Sequence, residues 1–350
     1  MIVEQTGIRG ASMAAEIAEQ PQALQRLLDD GRHQVRAVAA VIAARQPRFV
    51  LIAARGTSDH AALYAKYLIE TKLGLPVGLA SPSTLTVYRA HPDYRDVLWL
   101  SVSQSGGSPD LVESAISARR CGALTVALTN VVPSPLTAAS EHGVAILAGP
   151  ETAVAATKSY TSELLALYLL ITAWAGGDGT AANQIPEYAQ RVLDRGDAAQ
   201  IAPHFRAIDR LVLTGRGFSY PTAREAALKL METSYLAAHA FSSADLMHGP
   251  LAMIDAKHPV VAVVSHGVGG AAMLPALQRL AERGATVTIV GDWTAAPSAA
   301  HRIWLPSEVG ESLSPILQIL PLQQLAWEMA IARGYDPDAP RGLRKVTETL

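Results

Sequence analysis

The sequence has 350 residues, of which 49% are hydrophobic and 17% charged, and its net charge is -2. This length predicts two domains, and the balanced charge argues against a nucleic-acid partner or a membrane-surface patch. The amino-terminal stretch has neither the plan of a signal peptide nor an apolar span long enough to cross a bilayer, so we expect a cytoplasmic protein.

Cysteine and histidine usage bears on cofactors. The single cysteine, Cys121, lies in the apolar run "CGALTVALT", so an internal disulfide is impossible and cysteine-based metal spacing is absent. The ten histidines are scattered without the close pairing of metal ligands. We therefore predict neither a metal nor another cofactor, and expect Cys121 to be a buried small hydrophobic residue.

A helical arm is predicted over residues 1–45, before the first strand. Short apolar runs then alternate with Ala- and Leu-rich helical stretches: "RFVLIAA" (48–54), "DVLWLSV" (96–102), "LTVALT" (124–129) and "GVAILA" (143–148). Continuous apolar runs bounded by Gly, Ser and Pro indicate parallel strands covered by helices on both faces. The pattern predicts a doubly wound α/β domain over residues 46–180.

A second series of apolar runs follows: "DRLVLTG" (209–215), "PVVAVVS" (259–265), "ATVTIVG" (285–291) and "HRIWLP" (301–306). Arg55-Gly56 corresponds to Arg216-Gly217 at a shift of 161, and Ser103 to Ser265 at a shift of 162. The agreement in order and spacing predicts an internal duplication, with a second domain over residues 181–334. The glycine-rich stretch 174–186 predicts the boundary, and a tail over 335–350 follows.

"SVSQSGGSPD" (101–110) reads as a strand, a loop and a helix start. Ser108, Pro109 and Asp110 supply a hydroxyl N-cap, a proline at the first helical position and a carboxylate in the first turn. The loop before them is predicted at the carboxyl end of a parallel strand and the amino end of a helix, where unpaired N–H groups favour an anion. Serine hydroxyls and glycine backbone fit a phosphate, although helix capping alone explains the same residues.

A similar turn occurs at "AARGTSDHAALYAKYLIE" (53–70), where Thr57 or Ser58 is expected to cap the next helix. Because the two turns follow neighbouring strands, they could converge on one phosphate. A third polar turn, "ETAVAATKSYTSELL" (151–165), leads into an apolar helix, and there Lys158 is expected to be solvated.

Glu225, Lys229 and Glu232 share one face of a predicted helix, where an exposed Glu-to-Lys pair is the simplest interpretation. In "MHGP", the residues after His248 fix a turn that could present the imidazole, although a structural histidine fits as well. Lys345, taken alone, is a residue of a frayed tail.

Six motifs, in order, resemble the sugar isomerase (SIS) domain family, specifically the isomerase half of glucosamine-6-phosphate synthase. They are "RGTSDHAALYAKYLIE", "SQSGGSPD", "ETAVAATKSYT", "ALKLMETSY", "MHGPLAMID" and "DPDAPRGLRK", and they span nearly the whole chain. The resemblance implies two SIS domains of flavodoxin-like α/β fold and a hexose or hexosamine 6-phosphate ligand.

The resemblance also implies roles for particular residues. Glu232 moves the proton between C1 and C2, His248 helps to open the sugar ring from the partner subunit of a homodimer, and Lys345 forms a Schiff base with the ketose, on a tail that closes the site. The residues implied in substrate binding are Arg55, Gly56, Thr57, Ser58, Ser103, Gln104, Ser105, Ser108, Val154 and Ala156.

Departures from the synthase pattern favour a stand-alone enzyme. The sequence does not contain the glutaminase domain of the synthase, position 55 is Arg where the synthase has cysteine, Gly107 replaces a glutamate and Ala156 replaces a serine. "RGTSDHA" and "SQSGGSPD" are more similar to stand-alone SIS glucosamine-6-phosphate deaminases, as are Pro109 and Asp110.

The sequence therefore predicts a glucosamine-6-phosphate deaminase that yields fructose 6-phosphate and ammonia. The alternatives are a deaminase or deglycase for another amino-sugar or fructosamine 6-phosphate, a synthase-like aminotransferase and isomerase, and a phosphosugar sensor without catalysis. The retention of Glu232, His248 and Lys345 argues against the sensor, which needs only the phosphate loops.

Overall fold

The structure is a computed structural model that describes residues 8–292 and 299–345. The described chain forms two compact units. The N-sheet unit contains residues 20–150 and 158–187, and the C-sheet unit contains residues 8–19, 151–157, 188–292 and 299–345. Among the described residues, no helix combines the length and the apolar character needed to span a bilayer.

Helices and strands alternate along the chain, as the hydrophobic pattern predicts. In chain order the helices are α1 (Ala11–Ala18), α2 (Gln20–Arg26), α3 (Arg32–Arg45), α4 (Thr57–Leu73), α5 (Pro82–Thr86), α6 (Pro109–Arg120), α7 (Pro135–Ala139), α8 (Lys158–Trp174), α9 (Ile185–Arg195), α10 (Asp197–Phe205), α11 (Ser219–Ser234), α12 (Ser243–Met247), α13 (Val268–Ala271), α14 (Leu274–Glu282) and α15 (Ser314–Ala332). A π-helical turn (Leu27–Gly31) and 3-10 turns (Thr180–Ala182, Pro250–Met253) complete them.

Each unit is built on one parallel five-stranded sheet. The strands of the N-sheet unit are β1 (Phe49–Ala53), β2 (Val77–Leu79), β3 (Val97–Ser103), β4 (Leu124–Thr129) and β5 (His142–Ala145), in the order β2-β1-β3-β4-β5. Those of the C-sheet unit are β6 (Arg210–Gly215), β7 (Ala237–Ser242), β8 (Val260–Val264), β9 (Val287–Gly291) and β10 (His301–Ile303), in the equivalent order β7-β6-β8-β9-β10.

The identical strand order confirms the predicted fold class, a duplicated doubly wound α/β fold of flavodoxin-like order. The sequence pattern found four strands in each copy and missed β2 and β7. β2 has only three residues, and β7 mixes His239 and Ser242 into a polar-apolar sequence, so neither shows the continuous apolar run of the other strands.

Two of the buried elements of the N-sheet unit are the strand β3 and the helix α8. β3 is buried from Leu98 to Ser103, and α8 is buried almost continuously from Lys158 to Thr172. α8 packs against α2, α3 and α4. A helix that is buried on every side must be enclosed by other elements, and these three helices form part of that enclosure.

In the C-sheet unit, α15 takes the corresponding place and packs against α10 and α11. The buried faces of β8 and β9 are continuous, from Val260 to Val264 and from Val287 to Gly291. One sequence expectation is wrong in the N-sheet unit: Cys121 is only half-buried, because it is the C-cap of α6 instead of part of the strand that follows.

Candidate functional site

The loop after β3 is shaped by two glycines and two serines. The Gly106 amide donates to the Ser103 hydroxyl at 3.2 Å, and the Gly107 amide donates to the Ser105 hydroxyl at 3.2 Å. Gly106 has φ +62°, and a Cβ there would lie 2.4 Å from the Ser134 hydroxyl oxygen, so only glycine fits. The loop is therefore closely packed on its inner side.

These contacts leave hydroxyl donors available to a ligand. Ser103 and Ser105 accept hydrogen bonds from glycine amides, and neither donates to a described residue. Ser108 is the N-cap of α6 with Pro109 at the first position, as predicted, but its hydroxyl makes no capping hydrogen bond. Three serines can thus point O–H groups at an anion next to the amino end of a twelve-residue helix.

The loop after β1 lies beside this one, because β1 and β3 are paired parallel neighbours. Gly56, at φ +55°, is the N-cap of α4, and no side chain caps the helix, so the predicted Thr57 or Ser58 cap is wrong. The buried Ser58 hydroxyl instead donates to Glu163 of α8 at 2.8 Å. A ligand could therefore use Ser58 only through a lone pair or its backbone.

An ion pair joins the two loops. Nη2 of Arg55 lies 2.7 Å from Oδ2 of Asp110, whose side chain is 4% exposed, whereas the Arg55 side chain is 46% exposed. The other oxygen of Asp110 is buried without a hydrogen-bond partner among the described residues. The serine-rich loop "SQSGGS" contains no cationic residue. Arg55, from the loop after β1, therefore supplies a positive charge beside it.

In the equivalent loop of the C-sheet unit, the donors are bound by a carboxylate of the same chain. After β8, Oε1 of Glu311 accepts from the Ser265 hydroxyl at 2.6 Å and from the Gly269 amide at 2.8 Å. A Cβ at Gly267 or Gly269 would collide with this carboxylate, so the glycines make room for it. Ser265 corresponds to Ser103, so in the second copy of the loop the carboxylate of Glu311 takes the donors that remain available in the first.

On α11, Lys229 lies between two carboxylates. Its Nζ is 3.3 Å from Oε1 of Glu225 and 2.6 Å from Oε2 of Glu232. The side chains of Lys229 and Glu225 are 1% and 0% exposed, whereas that of Glu232 is 21% exposed. The expectation of an exposed Glu-to-Lys pair is wrong, because this face of α11 packs inward.

The charges of the neighbouring carboxylates determine whether Lys229 is protonated. Burial alone would lower the pKa of the Lys229 ammonium, but the charges of Glu225 and Glu232 outweigh it and hold the pKa above its ordinary value. Lys229 is therefore a permanent cation at neutral pH. Glu232 is the member of the group that solvent, and so a ligand, can reach.

His248 lies at the end of α12 in a turn that glycine makes possible. Its backbone amide donates to Asp245, and Gly249 follows with φ +126°. The imidazole is exposed, and it has no hydrogen bond to a described residue. The turn thus leaves the ring exposed, which is one of the two alternatives that "MHGP" allowed.

Segment 151–157 receives the lysine of the tail. Nζ of Lys345 donates to Oε2 of Glu151 at 2.7 Å and to the carbonyl of Ala153 at 2.7 Å. The Glu151 side chain is 0% exposed, and its other oxygen accepts from the Thr157 amide at 2.9 Å. The next residue, Lys158, is 2% exposed in contrast to the solvated side chain expected from sequence.

The structure brings some of the predicted residues together within each unit. The loops of Arg55 to Ser58 and Ser103 to Ser108 adjoin in the N-sheet unit, and Lys345 contacts the segment of Val154 and Ala156, both half-buried, in the C-sheet unit. The tail residues after Lys345 lie outside the described range. Sequence reasoning missed Glu151 and the buried state of Lys229, although both lie inside the quoted motifs.

The sequence is similar to those of known proteins. Residues 45–173 and 204–333 match the family described as SIS domain. The glutamine-fructose-6-phosphate aminotransferase [isomerizing] of Methanothermobacter thermautotrophicus is 36% identical over 338 residues, which cover 95% of this chain and 56% of that protein. The chain thus spans little more than half the length of the curated relatives it matches.

Solved structures also resemble the fold. A candidate phosphosugar isomerase from Silicibacter pomeroyi DSS-3 has 38% identity and a TM-score of 0.86, over 95% of this chain and 100% of that one. The C-terminal domain of glucosamine-fructose-6-phosphate aminotransferase from Francisella tularensis has 28% identity and a TM-score of 0.83, over 94% and 98%.

Proposed function

The chain belongs to the SIS domain family, and we propose that it isomerises a hexosamine 6-phosphate between its aldose and ketose forms. The observation that carries the proposal is the partly exposed Glu232 carboxylate, held 2.6 Å from the buried Lys229 ammonium. A fixed carboxylate that a ligand can reach is the group that a proton transfer between adjacent carbons requires. The similarity to isomerizing aminotransferases and to a candidate phosphosugar isomerase supports the same reaction class.

The substrate phosphate is assigned to the loops after β1 and β3. The three serine hydroxyls without acceptors and the amino end of α6 supply donors, and the Arg55 guanidinium supplies the positive charge. The corresponding loop of the C-sheet unit is a poorer candidate because Glu311 already takes its donors. We therefore propose one phosphate site per chain.

At the neutral pH of the reaction, Glu232 acts as the base. The open-chain amino sugar has an aldehyde at C1 and an amine at C2. Glu232 removes the C2 proton while the C1 oxygen takes up a proton from water, giving an enolamine. Glu232 then returns its proton to C1 while the C2 amine gives one N–H proton back to water, which leaves a neutral imine at C2. The Lys229 ammonium, 2.6 Å from Oε2 of Glu232, holds the side chain of this base in place during the transfer.

The finer proposal is deamination. Water adds to the C2 imine, the C–N bond breaks, and the products are fructose 6-phosphate and ammonia, so glucosamine 6-phosphate and one water are consumed. Arg55 departs from the synthase pattern and Asp110 is similar to the stand-alone enzymes, and the two form an ion pair that links the two loops proposed to bind the phosphate. This ion pair between residues that resemble those of the stand-alone deaminases supports the proposal of deamination.

A synthase-like aminotransferase reaction is the second candidate, favoured by the 36% identity to an aminotransferase and by the fixed Lys345 amine. Lysine can hold a ketose as an imine. Galactosamine 6-phosphate and glycated amino-acid 6-phosphates are further substrate candidates, and a sensor without catalysis is the alternative from another class.

Purified protein and glucosamine 6-phosphate test these proposals directly. We expect ammonia and fructose 6-phosphate in equal amounts, and no activity in Glu232→Gln. Binding in a calorimeter without any product would contradict the enzyme and favour the sensor. Formation of glucosamine 6-phosphate from fructose 6-phosphate with glutamine, but without ammonia release in the forward assay, would favour the aminotransferase.

We further propose a homodimer in which His248 opens the sugar ring in the partner's site. The exposed imidazole, without a described partner in its own chain, supports this assignment. Inactive His248→Ala and Glu232→Gln chains, mixed and allowed to exchange, should then regain part of the activity. No recovery despite exchange, shown by mass spectrometry of the mixed dimer, would contradict the shared site.

A further inference from the structure

Helix α1 is attached to the carboxyl-terminal tail at its first turn. The Asp338 carboxylate accepts from the Ser12 amide at 2.8 Å and the Met13 amide at 2.9 Å, and Asp336 accepts from the Gly10 amide at 3.0 Å. These amides have no partner within a helix, and a carboxylate at this end also meets the positive end of the helix dipole. The tail is thereby anchored seven residues before Lys345.

One turn further on, the same helix holds segment 151–157. Oε1 of Glu16 accepts from the backbone amides of Thr152 and Ala153, the latter at 3.2 Å, and from the Thr152 hydroxyl at 3.1 Å. Glu16 is 5% exposed, and its second oxygen is buried without a partner among the described residues. Burial raises the pKa of Glu16, the two backbone amides lower it, and Glu151 raises it again.

Ala153 connects this carboxylate to the lysine. Its amide donates to Glu16, and its carbonyl accepts from Lys345 Nζ. The two contacts lie on successive groups of one residue, so a rotation of the backbone that breaks the first also moves the second. The other acceptor of Lys345, Glu151, belongs to the same segment.

We propose that Glu16 is a positioning residue for the Lys345 amine. It fixes the Ala153 carbonyl that receives the amine, while the tail that carries the lysine is tied to the same helix. The inference uses the proposed function only in giving the amine a part in the reaction. Glu16 itself touches neither Lys345 nor, in this proposal, the substrate.

The experiment compares three variants of the full chain. Glu16→Ala removes the acceptor of the two amides, whereas Glu16→Gln keeps an amide oxygen that can accept the same bonds. Glu19→Gln, at the exposed C-cap of α1, is the matched control for loss of a carboxylate from this helix. The readout is the rate at which formaldehyde and cyanoborohydride methylate Lys345, measured on its peptide by mass spectrometry.

We expect Lys345 to be methylated roughly tenfold faster in Glu16→Ala, the change that loss of one charge-assisted hydrogen bond produces, and at nearly the wild-type rate in the other two variants. Glu16→Asp withdraws the carboxylate by one methylene while keeping its charge, and it should also accelerate labelling if the alanine variant does not fold. If Glu16→Ala or Glu16→Asp folds and its Lys345 is methylated at the wild-type rate, the inference is wrong. In that case Glu16 would only stabilise the contact between α1 and segment 151–157, without affecting the accessibility of the Lys345 amine.

Turnover provides an independent arm. Glu16→Ala should lower kcat for glucosamine 6-phosphate and leave KM within about twofold, since the phosphate loops lie on other residues, and Glu16→Gln should restore kcat. An equal loss of activity in Glu16→Gln and Glu16→Ala would also contradict the inference. If the wild type released no ammonia, the proposed deaminase would fail while the labelling rates still decided the role of Glu16.

Discussion

Replacing Lys229 by methionine tests the buried charge group of α11. Methionine fills a similar volume but removes the cation that faces Glu225, whose side chain is 0% exposed. Removing one partner of a buried ion pair costs about 3–5 kcal/mol, because the remaining charge is left in a medium of low polarity. For a unit of this size, this corresponds to a fall in the unfolding midpoint on the order of 10 °C.

The assay is thermal unfolding with the double variant Glu225→Gln, Lys229→Met as the second arm. Removing both charges should recover most of the lost stability, since a buried pair is often replaceable by neutral groups. Arg279→Met is the matched control, because Arg279 and Glu282 form an exposed pair at helical spacing in the same unit, and we expect little change there.

Turnover separates the two consequences of the substitution. In the double variant, Glu232 still lacks its ammonium partner, so stability should recover while ammonia release stays low. A single variant as stable as the wild type, or a double variant less stable than the single one, would refute the reasoning that the buried charge of Glu225 requires Lys229.

Three further predictions concern separate contacts. Asp110→Asn frees the Arg55 guanidinium, and we expect KM for the sugar phosphate to rise roughly tenfold in steady-state assays, which an unchanged KM would contradict. Burial and the stacked His204 lower the pKa of His301, so the unfolded chain binds a proton first and stability falls with pH below about 6.5. His301→Gln should flatten that decline in denaturant titrations between pH 7 and 5, and an equally steep decline would exclude this cause. Glu311→Ala removes the acceptor of two donors in the loop after β8 and should cost about 1–3 kcal/mol in the same titrations, whereas a neutral effect would show that solvent replaces it.

The fold could be predicted from the sequence because its signal is local. Runs such as "DVLWLSV" form strands that are buried on both faces of a parallel sheet, and strands of this kind consist of consecutive apolar residues. The edge strands β2 and β7 were missed because β2 has only three residues and β7 mixes polar residues with apolar ones, so neither shows this pattern. The spacing of Arg55-Gly56 and Arg216-Gly217 indicated the duplication, whereas the flavodoxin-like order of the strands was implied only by the resemblance to the SIS family.

The state of the charged residues could not be predicted in the same way. The i, i+4 spacing of Glu225 and Lys229 is identical in an exposed pair and a buried one, and only the packing of α11 on α15 decides between them. Lys158 shows the same limit, because its helix is enclosed on every side. The spacing of residues shows which of them share one face of a helix. Whether that face is buried depends on the elements that pack against it in the folded protein.

The two copies show which features a site needs beyond the shared fold. Ser58 donates to Glu163 of α8, and the equivalent Ser219 accepts from Gln318 of α15 at 2.9 Å, so both copies keep a buried polar contact between the first helix and the last. The loops after β3 and β8 differ instead. Ser103 keeps a hydroxyl that no described residue accepts, whereas Ser265 donates to Glu311, which lies 46 residues further along the chain. The serine and glycine content of the two loops is alike, so only the fold, which brings Glu311 onto the Ser265 loop, gives a reason to assign the proposed phosphate to the loop after β3.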